Sequence, residues 1–143
     1  MRQGFVLASI SLACLACSST PEPAAGSERE VSEQQAERGF PPGPYEDRDP
    51  ALAKRLVTAG ALLLDVRTPE EFAAGHVEGA LNIDHSQVSA RLEEIEGLVE
   101  GDRHKPIVVY CRSGRRSGLA KQTLEAAGFD RVTNLGGYRD WPD

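Results

Sequence analysis

Residues Ile107 to Gly128, IVVYCRSGRRSGLAKQTLEAAG, constrain the fold of this chain more than any other stretch. Ile107-Val-Val-Tyr110 is an unbroken apolar run entered from Pro106, the pattern of a strand covered on both faces of a parallel sheet. Such a strand delivers Cys111 to the carboxyl edge of its sheet. Behind the turn, Leu119, Ala120, Thr123, Leu124 and Ala127 predict one helix face packed on the sheet, and Gly128 is placed as the left-handed stop. The turn therefore lies at a helix N-terminus, where unpaired N–H groups and the helix dipole favour an anion.

A thiolate is such an anion. Arg112, Arg115 and Arg116 add positive charge to the same loop, so the thiol of Cys111 is expected below its ordinary pKa. Gly114 permits a positive φ, which lets successive amides curl inward as a nest. An inert buried cysteine would need neither the three arginines nor the helix start.

Three blocks of sequence resemble the rhodanese-fold sulfurtransferases. Cys111-Arg-Ser-Gly-Arg-Arg-Ser117 is similar to their active-site loop. Leu63-Leu-Asp-Val-Arg-Thr-Pro-Glu-Glu-Phe72, followed by Gly75-His-Val-Glu-Gly-Ala80, is similar to their upstream signature, and Asn134-Leu-Gly-Gly-Tyr-Arg-Asp-Trp141 to their closing one. The resemblance spans about residues 50 to 143. It implies an α/β domain with a mainly parallel central sheet flanked by helices, no cofactor, and Cys111 as a nucleophile that carries sulfur as a persulfide. The donor would be a small sulfane anion such as thiosulfate, the acceptor cyanide, a low-molecular-weight thiol or a thiol-bearing protein. Amides of residues 112 to 116, with Ser113 and Gly114 among them, would hold the transferred sulfur, while Arg112 and Arg115 would hold the sulfonate of the donor. Arg116 would instead turn inward to Asp65 or a nearby glutamate. The resemblance places the aspartate that follows the Ala61 to Val66 strand near the site, and Asp65, Arg67, Glu70 and Glu71 are expected to pair with the loop arginines and so orient and neutralise the loop rather than act in the chemistry. His76 falls within its structural motif and reads as a turn histidine.

Two other functions share part of this pattern. Cysteine-dependent phosphatases and arsenate reductases place thiolate and arginine as C-x5-R, whereas Cys111 and Arg116 are spaced C-x4-R, a ring suited to a single sulfur atom. A non-catalytic, sulfur-carrying or redox-sensing module of the same fold is the second alternative.

The chain of 143 residues has room for one such domain, and its net charge of −6 argues against non-specific nucleic-acid binding. His76, His85 and His104 show no close pairing and the domain has one cysteine, so no metal site is expected; His85 and His104 read as solvated. Residues 1–16 read as a signal peptide: Arg2 precedes an apolar core from Gly4 to Ala16, too short to span a bilayer. Cys17, with Cys14 as the alternative, resembles the lipidated cysteine of a bacterial lipoprotein, which implies a membrane anchor in the cell envelope facing the periplasm; a secreted or soluble periplasmic form is the alternative. Residues 17–49 are rich in Pro, Glu, Ser and Gln and read as a disordered tether with an r.m.s. span of about 30 Å. Within it, Phe40 to Tyr45 is taken as a stiff linker, with docking on the domain or on a partner as the alternative.

The domain, residues 50–143, is expected to open on a helix capped by Asp49 and started by Pro50. Further strands are expected at Ala61–Val66, Leu81–Ile83 and Val132–Leu135. Thr68-Pro-Glu-Glu71 predicts a capping box, Leu92 to Val99 another amphipathic helix, and Gly136-Gly137 the start of a terminal helix in which Tyr138 and Trp141 pack.

Overall fold

The computed structural model describes residues 39–143. The leader and the two cysteines read as lipidation candidates lie outside the described residues. Four strands, β1 (Leu62–Asp65), β2 (Leu81–Asn82), β3 (Ile107–Cys111) and β4 (Val132–Gly137), form a parallel sheet in the order β2-β1-β3-β4. Around it lie α1 (Pro50–Thr58), α2 (Pro69–Ala73), α3 (Leu92–Leu98) and α4 (Arg115–Ala126), with 3-10 turns at Val88–Arg91 and Tyr138–Asp140.

β3 is central and buried at all five positions because both faces of the sheet are covered. Alternation along the strand sends Ile107, Val109 and Cys111 into a core with Leu64, Ile95, Ala120 and Leu124, on the side of α3 and α4. Val108 and Tyr110 enter the opposite core with Leu52, Leu56, Leu63 and Leu135. The parallel register pairs Asp65 with Tyr110 and Cys111 with Gly137, so the ends of β1, β3 and β4 meet at one edge. In open parallel sheets that edge is where ligands bind.

Local signals set the helix starts. The Asp49 carboxylate accepts the Leu52 N–H at 2.9 Å, with Pro50 in the first turn. The capping box at α2 is complete, with Glu71 N–H donating to Thr68 Oγ1 and Thr68 N–H to Glu71 Oε2, both at 3.3 Å.

Three expectations are corrected. Leu119 is 49% exposed, and the inward face of α4 runs through Ser117, Ala120 and Leu124, the i, i+3, i+7 stripe. β4 continues to Gly137 and ends in a single 3-10 turn rather than a terminal helix, because Gly136 and Gly137 pair with Tyr110 and Cys111.

The third correction is the segment read as stiff linker. Phe40 and Tyr45 are 6% and 7% exposed and belong to the core on the α1 side, with the Tyr45 hydroxyl donating to the Pro41 carbonyl at 2.8 Å. The strap then runs along β4. Thr133 Oγ1 donates to the Glu46 carbonyl at 2.8 Å, Asn134 N–H to Asp47 Oδ1 at 2.9 Å, and Arg48 N–H to the Asn134 carbonyl at 2.7 Å. The strap covers an edge that would otherwise leave strand groups unpaired. Phe40→Ala and Tyr45→Ala are each expected to lower unfolding free energy by about 3 kcal/mol in urea melts; changes under about 0.5 kcal/mol would return the segment to the status of a linker.

Candidate active site

Cys111 ends β3, Arg112 to Gly114 turn the chain, and α4 starts at Arg115. Gly114 caps the helix with φ +92°, and a Cβ there would stand 3.2 Å from Gly136 Cα and 2.9 Å from Arg48 Nη2. Glycine is therefore required for both the turn and the packing. Gly137 serves the same packing from the other side, since a Cβ on it would meet the Arg112 carbonyl oxygen at 2.8 Å.

The loop closes around sulfur. The Gly114 N–H donates to Cys111 Sγ at 3.1 Å, and Ser117 Oγ lies 3.4 Å from it. Burial, with Cys111 only 1% exposed, pushes the thiol up; the Ser117 hydroxyl and the N–H groups of Ser117, Ser113 and Gly114 outweigh it and hold the thiol below its ordinary pKa. The Arg116 guanidinium is held above its ordinary pKa chiefly by its hydrogen bonds to Glu71, with the charge at Cys111 adding to this.

Arg116 points inward, as expected, and its partner is Glu71. Nη1 and Nη2 donate to the two carboxylate oxygens at 2.6 and 3.0 Å, a fork that fastens the first turn of α4 to α2. This pairing holds the Glu71 carboxyl down at about 2. Because the folded pKa is below the unfolded one, the pair stabilises the fold fully above about pH 5, and that contribution fades as pH falls from about 4.5 toward 2. The difference in urea midpoint between the protein and Glu71→Gln is expected to be flat from pH 5 to 8 and to shrink below pH 4; a difference constant down to pH 2.5 would contradict the pairing.

The other loop-orienting candidates divide. Glu70 is exposed and meets no loop arginine. Asp65 and Arg67 pair with each other. Asp65 Oδ1 accepts from Arg67 N–H and Nε, each at 2.9 Å, and Oδ2 from Nη2 at 2.5 Å. Arg67 Nη2 also donates to the Gly75 carbonyl at 2.7 Å, and its guanidinium lies 4.6 Å from the centre of the Tyr138 ring. Together with Glu71, Arg112, Tyr138 and Arg139, Arg67 lines a cavity of about 340 Å³ beside the loop. Arg112, Ser113 and Arg115 are exposed. Among the described residues, Arg112, Arg115 and Arg139 have no acidic partner, so their charge is available to an anion.

Residues to which the sequence motifs assigned no role complete the site. Ser117 Oγ lies 2.7 Å from Asn134 Oδ1, while Asn134 Nδ2 donates to the Gly114 carbonyl at 3.0 Å and the Gly136 N–H donates to Asn134 Oδ1 at 2.9 Å. The available signals were a small polar residue at an inward helix position and a polar residue inside an apolar strand. Arg48, from the strap, is a fourth arginine at the loop and gave no signal in its own neighbourhood. Tyr138, expected to pack, instead stands over Arg67 on the cavity wall. His76 stacks on Phe72 at 3.7 Å between ring centres and bonds the Phe72 carbonyl at 3.0 Å, the arrangement of a turn histidine. His104 bonds Asp130 at 2.6 Å, and His85 sits with Nδ1 buried 3.2 Å from Asp84 without hydrogen-bond geometry, so neither is merely solvated.

Residues 49–143 match the rhodanese-like domain model. The chain is 39% identical over 77 residues to thiosulfate sulfurtransferase PspE of Escherichia coli, covering 54% of this chain and 70% of that protein. It is 44% identical over 82 residues to the uncharacterized protein YqhL of Bacillus subtilis, covering 57% of this chain but only 60% of the length of that relative. Among solved structures, the human single-domain sulfurtransferase TSTD1 superposes with a TM-score of 0.54 at 31% identity, covering 71% of this chain and 96% of the other. The chain belongs to the rhodanese-like family.

Proposed function

We propose that this protein is a sulfurtransferase that moves sulfane sulfur from a small anionic donor such as thiosulfate to cyanide or a thiol through a persulfide on Cys111. The observation that carries this reading is the closed ring of N–H and hydroxyl donors on one buried sulfur at the start of α4. The Cys111 thiolate attacks the outer sulfur of thiosulfate; the S–S bond of the donor breaks, sulfite leaves with the electron pair, and a Cys111 persulfide anion remains. Cyanide or a thiolate then attacks that outer sulfur, and the electron pair of the Cys–S–S bond returns to Cys111. Two easy displacements replace one hard transfer. Arg112 and Arg139 on the cavity wall, with the exposed Arg115 at the start of α4, supply the charge that receives the sulfonate and the departing sulfite, while N–H groups of the loop hold the outer sulfur. The name thiosulfate sulfurtransferase borne by relatives in the same family supports the donor class.

Initial rates measured over thiosulfate and cyanide concentrations should give parallel double-reciprocal lines, as a covalent intermediate requires; intersecting lines would exclude it. A phosphatase or arsenate reductase is disfavoured because the Cys111 and Arg116 spacing is C-x4-R and the Arg116 charge is already neutralised by its fork with Glu71. Aryl-phosphate hydrolysis above that of Cys111→Ser would reverse this. The same reading extends to placement: lipid on Cys17, or alternatively on Cys14, tethers the domain to the cell envelope, where a thiol-bearing protein is a possible acceptor.

A further inference from the structure

The hydroxyl of Ser117 faces two acceptors with one proton. Ser117 Oγ is 2.7 Å from Asn134 Oδ1 and 3.4 Å from Cys111 Sγ. The orientation of the Asn134 amide is fixed by its other bonds, because the Gly136 N–H must meet the oxygen and the Gly114 carbonyl must meet the nitrogen. Asn134 Oδ1 can therefore only accept. With the Ser117 proton on the short bond to Asn134, Oγ turns a lone pair toward Sγ, which suits a neutral S–H donor. A thiolate needs the opposite polarity.

We propose that Ser117 and Asn134 form a hydroxyl switch that follows the charge on Cys111. When Cys111 carries its proton, the chain reads S–H to Oγ–H to Oδ1. When that proton leaves to solvent, the Ser117 hydroxyl rotates from Asn134 to Sγ and donates to the thiolate, while Asn134 keeps the Gly136 N–H. On persulfide formation the charge moves to the outer sulfur, Sγ becomes a neutral bridging atom, and the hydroxyl returns to Asn134. In each state the buried Ser117 proton has an acceptor, so charging and discharging Sγ never leaves it unpaired. Ser117 and Asn134 are in this sense positioning residues.

The strap belongs to this device. Both backbone groups of Asn134 are taken by it, the N–H by Asp47 Oδ1 and the carbonyl by the Arg48 N–H, and Lys121 Nζ holds Asp47 Oδ1 at 2.7 Å from α4. Other charged groups around the ring are Arg116 with Glu71, Arg112 on the loop, Arg48 against Gly114, and Asp140, whose Oδ2 accepts the Gly137 N–H at 2.7 Å. None of these supplies a proton that can point either way between Sγ and Asn134.

The inference deepens the sulfur-transfer reading, and its test contains no sulfur donor, so the switch and the transfer can fail separately. Thiolate ultraviolet absorbance is titrated against pH for the protein, Ser117→Ala and Ser117→Thr, with Cys111→Ser as blank. The midpoint is expected to rise by about 1 to 2 pH units in Ser117→Ala and to stay near that of the parent in Ser117→Thr. In the unmodified protein, the side-chain carbonyl carbon of Asn134 is followed by NMR through the same titration, and its shift should move with the midpoint of the thiolate. An unmoved midpoint in Ser117→Ala, an equal rise in Ser117→Thr, or a flat Asn134 resonance would each overturn the switch. The NMR arm stands alone if either variant does not fold.

Discussion

Cys111→Ser should lower thiosulfate:cyanide sulfur transfer by on the order of 10³-fold or more, with the fold retained. The loss comes from where the sulfur sits. Its donors, the Gly114 N–H and the Ser117 hydroxyl, favour an anion at that position, and a serine hydroxyl does not ionise near neutral pH to exploit them. The smaller oxygen still fits the ring and can accept the Gly114 N–H, so the circular dichroism spectrum and urea midpoint should change little. Residual turnover within tenfold of the parent would show that another group carries the sulfur.

The largest expected effect on stability lies one strand away. Asp65 is fully buried and accepts four hydrogen bonds from Arg67 at Oδ1 and Oδ2, and Arg67 extends that tie to Gly75 and Tyr138. Arg67→Met keeps much of the apolar stem but leaves the carboxylate without its counter-charge, which costs about 3 to 5 kcal/mol. In a domain whose total stability is on the order of 5 to 15 kcal/mol, that brings unfolding close to ambient conditions. The double variant Asp65→Asn with Arg67→Met removes the buried charge and should recover more than half of the loss. Urea unfolding of the three proteins decides this; a single-variant loss under about 1 kcal/mol would show that water reaches Asp65.

Elements were legible in the sequence in proportion to how local their signals are. β3 was readable because a strand covered on both faces needs no alternation, and Ile107 to Tyr110 has none. Asp49-Pro50 and Thr68-Pro-Glu-Glu71 announced α1 and α2 because caps are written within four residues. Glu71 serves twice. It closes its own helix start, and because a carboxylate has lone pairs left over, both its oxygens also reach Arg116, the kind of loop pairing expected of it, while Glu70, expected to share that role, faces solvent.

The misses are contacts distant along the chain. Phe40-Pro-Pro-Gly-Pro-Tyr45 has the composition of a linker, and only the apolar core on the α1 side, which Phe40 and Tyr45 complete, explains why it packs. Ser117 and Asn134 meet across 17 positions, and nothing near either residue names the other. Leu119 was counted as core on hydrophobicity, but α4 is clocked by its exit from Cys111, which turns Ser117 inward and leaves Leu119 off the stripe.

Sulfur transfer at this site is tested most directly by mass. The protein is incubated with thiosulfate, freed of small molecules and digested without reductant, and the peptide containing Cys111 is weighed before and after exposure to cyanide. A gain of about one sulfur mass, removed by cyanide and absent in Cys111→Ser, is the expected result. An unchanged peptide, or a gain that survives Cys111→Ser, would contradict it.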